Sequence, residues 1–274
     1  MSDRSPSASD GRVPTDDLAP RNAISVEHVS ASYRVRRQSE SSWKGFVDMV
    51  RRDTSSLRLV PALRDVSFTV PKGTVLGVIG RNGAGKSTLL RTISGILPPT
   101  EGRVVVRGRI SSLLAPGAGF NVQLTGRENI ELGGLTIGLP EDRLDELSQS
   151  IAEFAQLGEY LDLPVQGYSS GMRMRLGFAI AVHLEPEILL IDEALAGGDA
   201  KFKERSGGKM QELCGDGRTI VIVSHGLRAI RFMASAALWL HQGKIVEAGD
   251  PDDVVNSYMR YCRLERTDEA WEDL

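Results

Sequence analysis

Residues 80–88 carry the side chains best suited to phosphate chemistry, in the order Gly-Arg-Asn-Gly-Ala-Gly-Lys-Ser-Thr. Closely spaced glycines let a loop curl until several backbone N–H groups converge on one anion. In such a loop Lys86 reaches the β- and γ-phosphates of a nucleotide, and the Ser87 hydroxyl ligates Mg²⁺. The run therefore predicts a nucleoside triphosphate site, with binding residues Gly80, Asn82, Gly83, Ala84, Gly85, Lys86, Ser87 and Thr88.

Two acidic residues, Asp192 and Glu193, follow a second apolar run. At the end of a buried strand, Asp192 would hold the Mg²⁺ shell through water, and Glu193 could orient or deprotonate an attacking water. Paired acids also occur where strands exit into solvent, so this prediction depends on the phosphate loop upstream. His225 follows the apolar run 219–224, at the strand end where open α/β sheets bind ligands. Taken alone, a histidine in that place is more often structural.

The predicted elements place these residues at one edge of a sheet. The apolar run 74–79 predicts a buried parallel strand, and residues 86–96 predict a helix with one apolar face. A phosphate loop needs this strand–loop–helix setting, which disfavours the alternative of a chance glycine-rich turn. Alternating patterns at 24–35, 62–70 and 104–106 predict antiparallel strands, while 124–184 carries several helical patterns.

The stretch 36–59, between the first two antiparallel strands, is an unusual insert. Its apolar residues Trp43, Phe46, Val47 and Val50 follow the spacing of an amphipathic helix. Such a helix either packs on its own domain or faces the membrane, where it would meet anionic lipid or the head group of a cargo. The pattern leaves both interpretations open.

Composition limits the classes of function. The chain has 274 residues, 41% hydrophobic and 25% charged, which suits one large α/β domain with a smaller helical insertion. No apolar run approaches the about 18 residues of a membrane-spanning helix. The net charge of -3 argues against a nucleic-acid partner. Residues 1–21 are rich in Ser, Asp, Pro and Arg, which predicts a disordered N-terminal tail.

The order of these motifs resembles that of the ATP-binding subunits of ABC transporters. The segment Tyr168-Ser169-Ser170-Gly171-Met172 occupies the place of that family's Leu-Ser-Gly-Gly-Gln signature and opens a predicted helix. The resemblance implies an α/β fold, the ABC ATPase cassette, with a RecA-like P-loop core, an antiparallel β subdomain and an inserted helical subdomain. It implies an ATPase domain at 22–260, a helical subdomain at about 117–184 and a C-terminal tail at 261–274.

The resemblance also implies roles for single residues. ATP, with Mg²⁺ as its cofactor, would bind between two copies of the chain, where Ser169, Ser170 and Gly171 of one copy contact the nucleotide of the other. Asp199 matches the family's D-loop, and Tyr33 matches the aromatic residue that stacks on adenine. An exposed tyrosine on an edge strand is the alternative for Tyr33. The implied catalytic residues are Lys86, Asp192, Glu193 and the switch histidine His225.

Further segments are similar to the polysaccharide-exporting branch, which includes Wzt-type O-antigen and galactan exporters and teichoic-acid exporters. The matching segments are 117–120, 124–130, 168–172 and 198–202. This likeness implies a homodimer of the ATPase subunit, held peripherally on the cytoplasmic face of the plasma membrane by separate transmembrane permease subunits, with two expected. The implied cargo is a lipid-linked glycan.

One departure concerns the family's glutamine loop, which links Mg²⁺ to the membrane partner. Counting back from 124–129 places that loop at Ala115-Pro116, and neither side chain can ligate a metal. Three functions therefore compete: polysaccharide export, a single-cassette ATPase with another cargo or no membrane partner, and a regulatory subunit without hydrolysis. A clamp acting on DNA or ribosomes is disfavoured by the single phosphate loop and the lack of sustained heptads.

Overall fold

A three-stranded antiparallel sheet forms one layer of the molecule. The computed structural model describes residues 22–36, 57–114, 119–136, 139–192, 200–224 and 226–272. Strands β1 (Asn22–Arg36), β2 (Leu57–Pro71) and β4 (Glu101–Val106) pair in the order β2-β1-β4. Their alternating side chains bury one face, as the period of two requires.

The β1–β2 pair is longer than the sequence pattern predicts. Arg36 pairs with Leu57, so residue 36 and residues 57–59, expected in the amphipathic insert, belong to strands. Pairing with β1 starts β2 at Leu57, five residues before the alternating stretch that begins at Ala62. The sequence pattern of β2 alone does not contain this stabilisation, because the partner strand supplies it. The remainder of the predicted insert, including Trp43, lies outside the described residues.

The second sheet has the strand order β5-β6-β7-β3-β8-β9 among the residues described. Its strands are β3 (Val75–Ile79), β5 (Ile110–Leu113), β6 (Ile188–Ile191), β7 (Thr219–Val223), β8 (Ala236–His241) and β9 (Lys244–Gly249). All neighbours are parallel except β8 and β9. The strands β3, β6 and β7 are buried along their whole length, which explains their continuous apolar sequences.

Helices cover this sheet and connect its strands. They are α1 (Lys86–Ile93), α4 (Ser170–His183), α5 (Ala200–Gly215), α6 (Leu227–Met233) and α7 (Pro251–Glu272). Helix α1 ends earlier than the predicted residue 96, because Gly95 adopts φ 77° in the turn that follows. Helix α7 crosses residue 260, where the resemblance places the end of the ATPase domain, and residues 261–272 continue the same helix. The α/β fold class is confirmed.

A separate helical unit lies between β5 and β6 in the sequence. It consists of α2 (Gly126–Thr136), α3 (Glu141–Ala155), two short 3₁₀ turns (Gly158–Asp162 and Val165–Gly167) and α4. Thr125 and Glu128 form a capping box at the start of α2, with the Thr125 N–H donating to Glu128 Oε2 at 2.7 Å. These hydrogen bonds from the Thr125 backbone and hydroxyl lower the pKa of Glu128.

The helical unit has its own apolar core, which includes Ile130, Ile151, Leu161, Val165 and Leu176. Its location agrees with the helical patterns predicted over 124–184. In the described part of the chain, no helix combines the length and hydropathy needed to span a bilayer.

Candidate functional site

The phosphate loop turns tightly between β3 and α1. Gly80 has φ 150°, and a Cβ at this position would lie 2.2 Å from the Leu240 carbonyl oxygen on β8. Only glycine fits there, because that separation is far inside van der Waals contact. The loop is therefore held directly against the carboxyl end of the sheet, where α/β folds bind ligands.

Lys86 is folded into the curve of this loop. Its side chain is 7% exposed, and its Nζ donates to the carbonyl oxygens of Gly80 at 2.7 Å and Arg81 at 3.0 Å. The first hydrogen bond of α1 runs from the Leu89 N–H to the Gly85 carbonyl, so the N–H groups of residues 86–88 have no intrahelical acceptor. The start of α1 thus offers backbone N–H groups beside a buried ammonium, a combination that suits a phosphate group.

A cavity of about 390 Å³ opens beside the loop. This volume lies in the usual range of small-molecule sites. The cavity is lined by Tyr33, Val60, Pro61, Ala62, Asn82, Gly83, Gly85, Lys86, Ser87, Thr88, Asp192 and Val223. The structure therefore brings together residues of β1, the phosphate loop and the end of β6.

Two residues predicted for the phosphate loop support this cavity from behind. Ala84 is 4% exposed, and its N–H donates to the Arg81 carbonyl at 3.1 Å. Gly80 is buried beneath the loop and supplies a carbonyl acceptor to Lys86. Neither residue lines the cavity.

Tyr33 forms the aromatic end of the cavity. It is half-buried and pairs across the strands with Val60, whose side chain is 40% exposed at the cavity wall. The Tyr33 and Thr88 hydroxyls lie 3.2 Å apart, which ties the ring to the phosphate loop. With Pro61 beside them, these residues offer an aromatic and apolar surface for a planar base. The sequence patterns missed Val60, Pro61, Ala62 and Val223.

The oxygen donors expected to hold Mg²⁺ line the same cavity. These are the hydroxyl of Ser87 and the carboxylate of Asp192, whose N–H is fixed to the Leu113 carbonyl at 3.0 Å. The donor set fits Mg²⁺, which takes oxygen ligands, keeps several waters and commonly shares a substrate's phosphates. Within the described ranges, no group of three or more His, Cys, Asp or Glu residues could hold a metal without such help.

The signature segment lies outside this cavity. Ser169 is the N-cap of α4, and its Oγ accepts a hydrogen bond from the Met172 N–H at 3.2 Å. This hydrogen bond uses a lone pair of Oγ and not the hydroxyl proton, so Ser169 can still donate that proton to another acceptor. Neither Ser169, Ser170 nor Gly171 lines the cavity of its own chain.

The remaining predicted site residues lie beyond the part of the chain that the structure describes. They are Glu193, Asp199 and His225, together with Ala115-Pro116. Two described neighbours of these residues line the cavity. They are Asp192, which directly precedes Glu193, and Val223, which lies two residues before His225.

Comparisons with known proteins agree with this geometry. The ABC transporter family model matches residues 63–196. The chain is 43% identical over 256 residues to the O-antigen export system ATP-binding protein RfbB of Myxococcus xanthus, covering 91% of this chain and 58% of the relative. It is 41% identical over 240 residues to the teichoic acids export ATP-binding protein TagH of Listeria innocua, covering 88% and 70%.

A solved structure shares the fold. The dimeric post-hydrolysis state of the ATP-binding cassette MJ0796, bound to ADP and Pi, aligns with a TM-score of 0.66 and 22% identity. The alignment covers 83% of this chain and 98% of that chain. The predicted ABC ATPase cassette fold is thereby confirmed, and the chain belongs to the family of ABC transporter ATP-binding proteins.

Proposed function

We propose that this chain is the ATP-hydrolysing subunit of an ABC transporter that exports a lipid-linked polysaccharide across the cytoplasmic membrane. The observation that carries the nucleotide role is the single cavity shared by Tyr33, Lys86 and Asp192. The cargo, of the O-antigen, galactan or teichoic-acid type, is supported by the similarity to relatives named for O-antigen and teichoic acid export.

Each end of the cavity suits one part of ATP. The ring of Tyr33 and the apolar surface of Val60 and Pro61 receive the adenine base. The N–H groups at the start of α1 and the ammonium of Lys86 receive the β- and γ-phosphates, with Lys86 exchanging the Gly80 and Arg81 carbonyls for phosphate oxygens.

The cofactor would be held by Ser87 and, through water, by Asp192. Bound Mg²⁺ neutralises negative charge on the phosphate oxygens. Asp192 is the one carboxylate among the described residues that line the cavity.

The signature segment would meet a nucleotide held by a second copy of the chain. In one copy it does not line the cavity, yet Ser169 presents a donor and α4 presents the positive end of its helix dipole. These groups suit a γ-phosphate, and Ser170, Gly171 and the D-loop residue Asp199 would complete the shared site. Two ATP molecules would then stabilise a head-to-tail homodimer.

Hydrolysis would use the residues that follow β6 and β7. Glu193 would orient a water and accept its proton as the water oxygen bonds to the γ-phosphorus and the bond to the bridging oxygen breaks. His225 would contact the γ-phosphate from the other side. ADP and phosphate are formed, the bridge between the two copies is lost, and the dimer reopens.

The work of export would be done through separate transmembrane permease subunits. Two copies are expected, because the dimer presents two equivalent faces. The ATPase would lie peripherally on the cytoplasmic face of the membrane. With Ala115-Pro116 in the place of the glutamine loop, no glutamine amide at that place would link Mg²⁺ to the permease.

The first experiment measures phosphate release by the purified full-length chain and by its Glu193→Gln variant. We expect the variant to lose turnover, keep ATP binding and accumulate as an ATP-bound dimer. Glu187→Gln is the matched control, because Glu187 lies at the opposite end of β6 and pairs with Arg109 at 3.6 Å. Steady-state hydrolysis retained by Glu193→Gln would refute the role of Glu193.

A second experiment tests the cargo. Deletion of the gene in its host should cause lipid-linked polysaccharide to accumulate on the cytoplasmic side, and the wild-type chain should restore export whereas Glu193→Gln should not. Normal surface polysaccharide in the deletion strain would overturn the polysaccharide assignment and leave the ATPase assignment in place.

A further inference from the structure

The residue before the signature serine is anchored to the helical unit. Tyr168 stands where the family signature begins with leucine, and it is 4% exposed. Its hydroxyl donates to the carbonyl oxygen of Tyr160 at 2.5 Å. Burial, with a smaller contribution from the charge of Asp162, raises the pKa of Tyr168, so the hydroxyl keeps its proton. A leucine at this position could fill the apolar space but could not make the hydrogen bond.

The chain that leads to Tyr168 is fixed as well. The N–H groups of Val165 and Gln166 donate to the carbonyls of Leu124 and Val122, both at 2.9 Å. These bonds join the segment before the signature to the loop that precedes α2. Tyr168, which is held by its hydroxyl, is the last anchored residue before Ser169, whose side chain caps α4.

Gly126, at the start of α2, leaves room for the Tyr168 hydroxyl. A Cβ at position 126 would lie 2.4 Å from the Tyr168 hydroxyl oxygen. The hydroxyl thus occupies a defined place between α2 and the 3₁₀ turn that contains Tyr160. Because the hydroxyl is closely packed, it fixes the Tyr168 side chain and, through the backbone, the position of the next residue, Ser169.

We infer that the Tyr168 hydroxyl is a positioning group. It holds the signature segment, residues 169–171, in the position needed to contact ATP on a second copy of the chain. The inference rests on the proposed function, since it concerns the shared site. The hydroxyl acts through the backbone that it holds, by its hydrogen bond to the Tyr160 carbonyl.

Removal of this hydroxyl takes an acceptor from the Gly126 N–H but leaves its own acceptor, the Tyr160 carbonyl, with another hydrogen bond. The Tyr160 carbonyl accepts a second hydrogen bond, from the Leu163 N–H at 3.0 Å. Tyr168→Phe therefore leaves that carbonyl with a partner and retains the buried ring. The matched control is Tyr160→Phe, which removes a hydroxyl from the same turn, on a side chain 56% exposed, and keeps the carbonyl.

The experiment compares ATP-driven dimerisation of the full-length chain in the Glu193→Gln background, by analytical ultracentrifugation. Losing one positioning hydrogen bond is expected to weaken each site about fivefold, and with two sites the association constant falls about 25-fold. Binding of a fluorescent ATP analogue by the monomer should stay within about twofold, because the cavity is untouched. Tyr160→Phe should dimerise like the parent.

The outcomes separate the inference from the proposed function. If the parent Glu193→Gln chain fails to dimerise with ATP, the shared site itself is wrong. If the parent dimerises and Tyr168→Phe dimerises equally well, only the positioning role is refuted. A Tyr168→Phe chain that loses monomer nucleotide binding and dimerisation together would show a general structural role and would equally refute the inference.

Discussion

Replacement of Tyr33 tests the geometry of the base end of the cavity. Tyr33→Ala removes the aromatic surface opposite Val60 and Pro61. Stacking of a base on an aromatic side chain contributes about 1–3 kcal/mol, so ATP affinity should fall about 5- to 150-fold. Tyr33→Phe keeps the ring and loses the hydroxyl contacts to Thr88 at 3.2 Å and to the Arg91 guanidinium at 3.5 Å, and its affinity should stay within about threefold of the wild type.

The assay measures the nucleotide dissociation constant by isothermal titration and kcat at saturating ATP. In the proposed binding mode Tyr33 contacts the base and not the reacting phosphates, so Tyr33→Ala should raise KM and leave kcat within about twofold. Stacking depends on a π-face that every base has, and therefore ATP and GTP affinities should fall by a similar factor.

Leu59→Ala is the control for Tyr33→Ala. Leu59 neighbours Val60 on β2, is 59% exposed and does not line the cavity, so its replacement should not change nucleotide affinity. An unchanged dissociation constant in Tyr33→Ala would refute the stacking role. A loss in Tyr33→Phe as large as that in Tyr33→Ala would assign the effect to the hydroxyl and the Thr88 contact.

Two further predictions concern stability. Gly80→Ala should destabilise the protein by at least about 3 kcal/mol in urea unfolding, because its Cβ would collide with the Leu240 carbonyl. Gly83→Ala, with φ 78° but no atom within 4 Å, should cost only about 1–2 kcal/mol, and equal losses would contradict this reasoning. Burial lowers the pKa of His183 from 6.5, so below that pH the unfolded chain binds a proton that the native chain excludes. Stability should therefore decrease as pH falls from about 6.5 toward the native pKa, and His183→Gln should show a flatter Tm–pH curve.

The phosphate loop could be predicted because its information is local. A buried apolar strand, a glycine-rich turn and a helix with one apolar face are adjacent in the chain, and each has its own periodicity. The occurrence of Tyr33 and Asp192 in the same cavity followed from the family resemblance, since no local pattern relates residues so far apart. The structure brings them together through the sheet.

The sequence patterns did not predict the elements that are stabilised by partners distant in the chain. Strand β5 has only four residues, two of them serine, and its strand conformation depends on pairing with β6. The cavity residues Val60 and Pro61 could not be found without the register that places Val60 opposite Tyr33. The continuation of α7 past residue 260 is similar: Tyr258 and Tyr261 pack on Trp239, with ring centroids 5.6 and 5.2 Å apart.

In the proposed dimer, the division of the site between the cavity and the signature segment has an energetic consequence. Lys86 already lies within the loop that would receive phosphate, bonded to the loop's own carbonyls, so nucleotide binding to one chain requires an exchange of partners and little reorganisation. Ser169 does not line the cavity of its own chain, so in the proposed dimer its hydroxyl would contact the nucleotide of the second copy. In that dimer, affinity for nucleotide and affinity for the partner copy would depend on different residues, and this separation would allow ATP to control association through differential binding to the closed state.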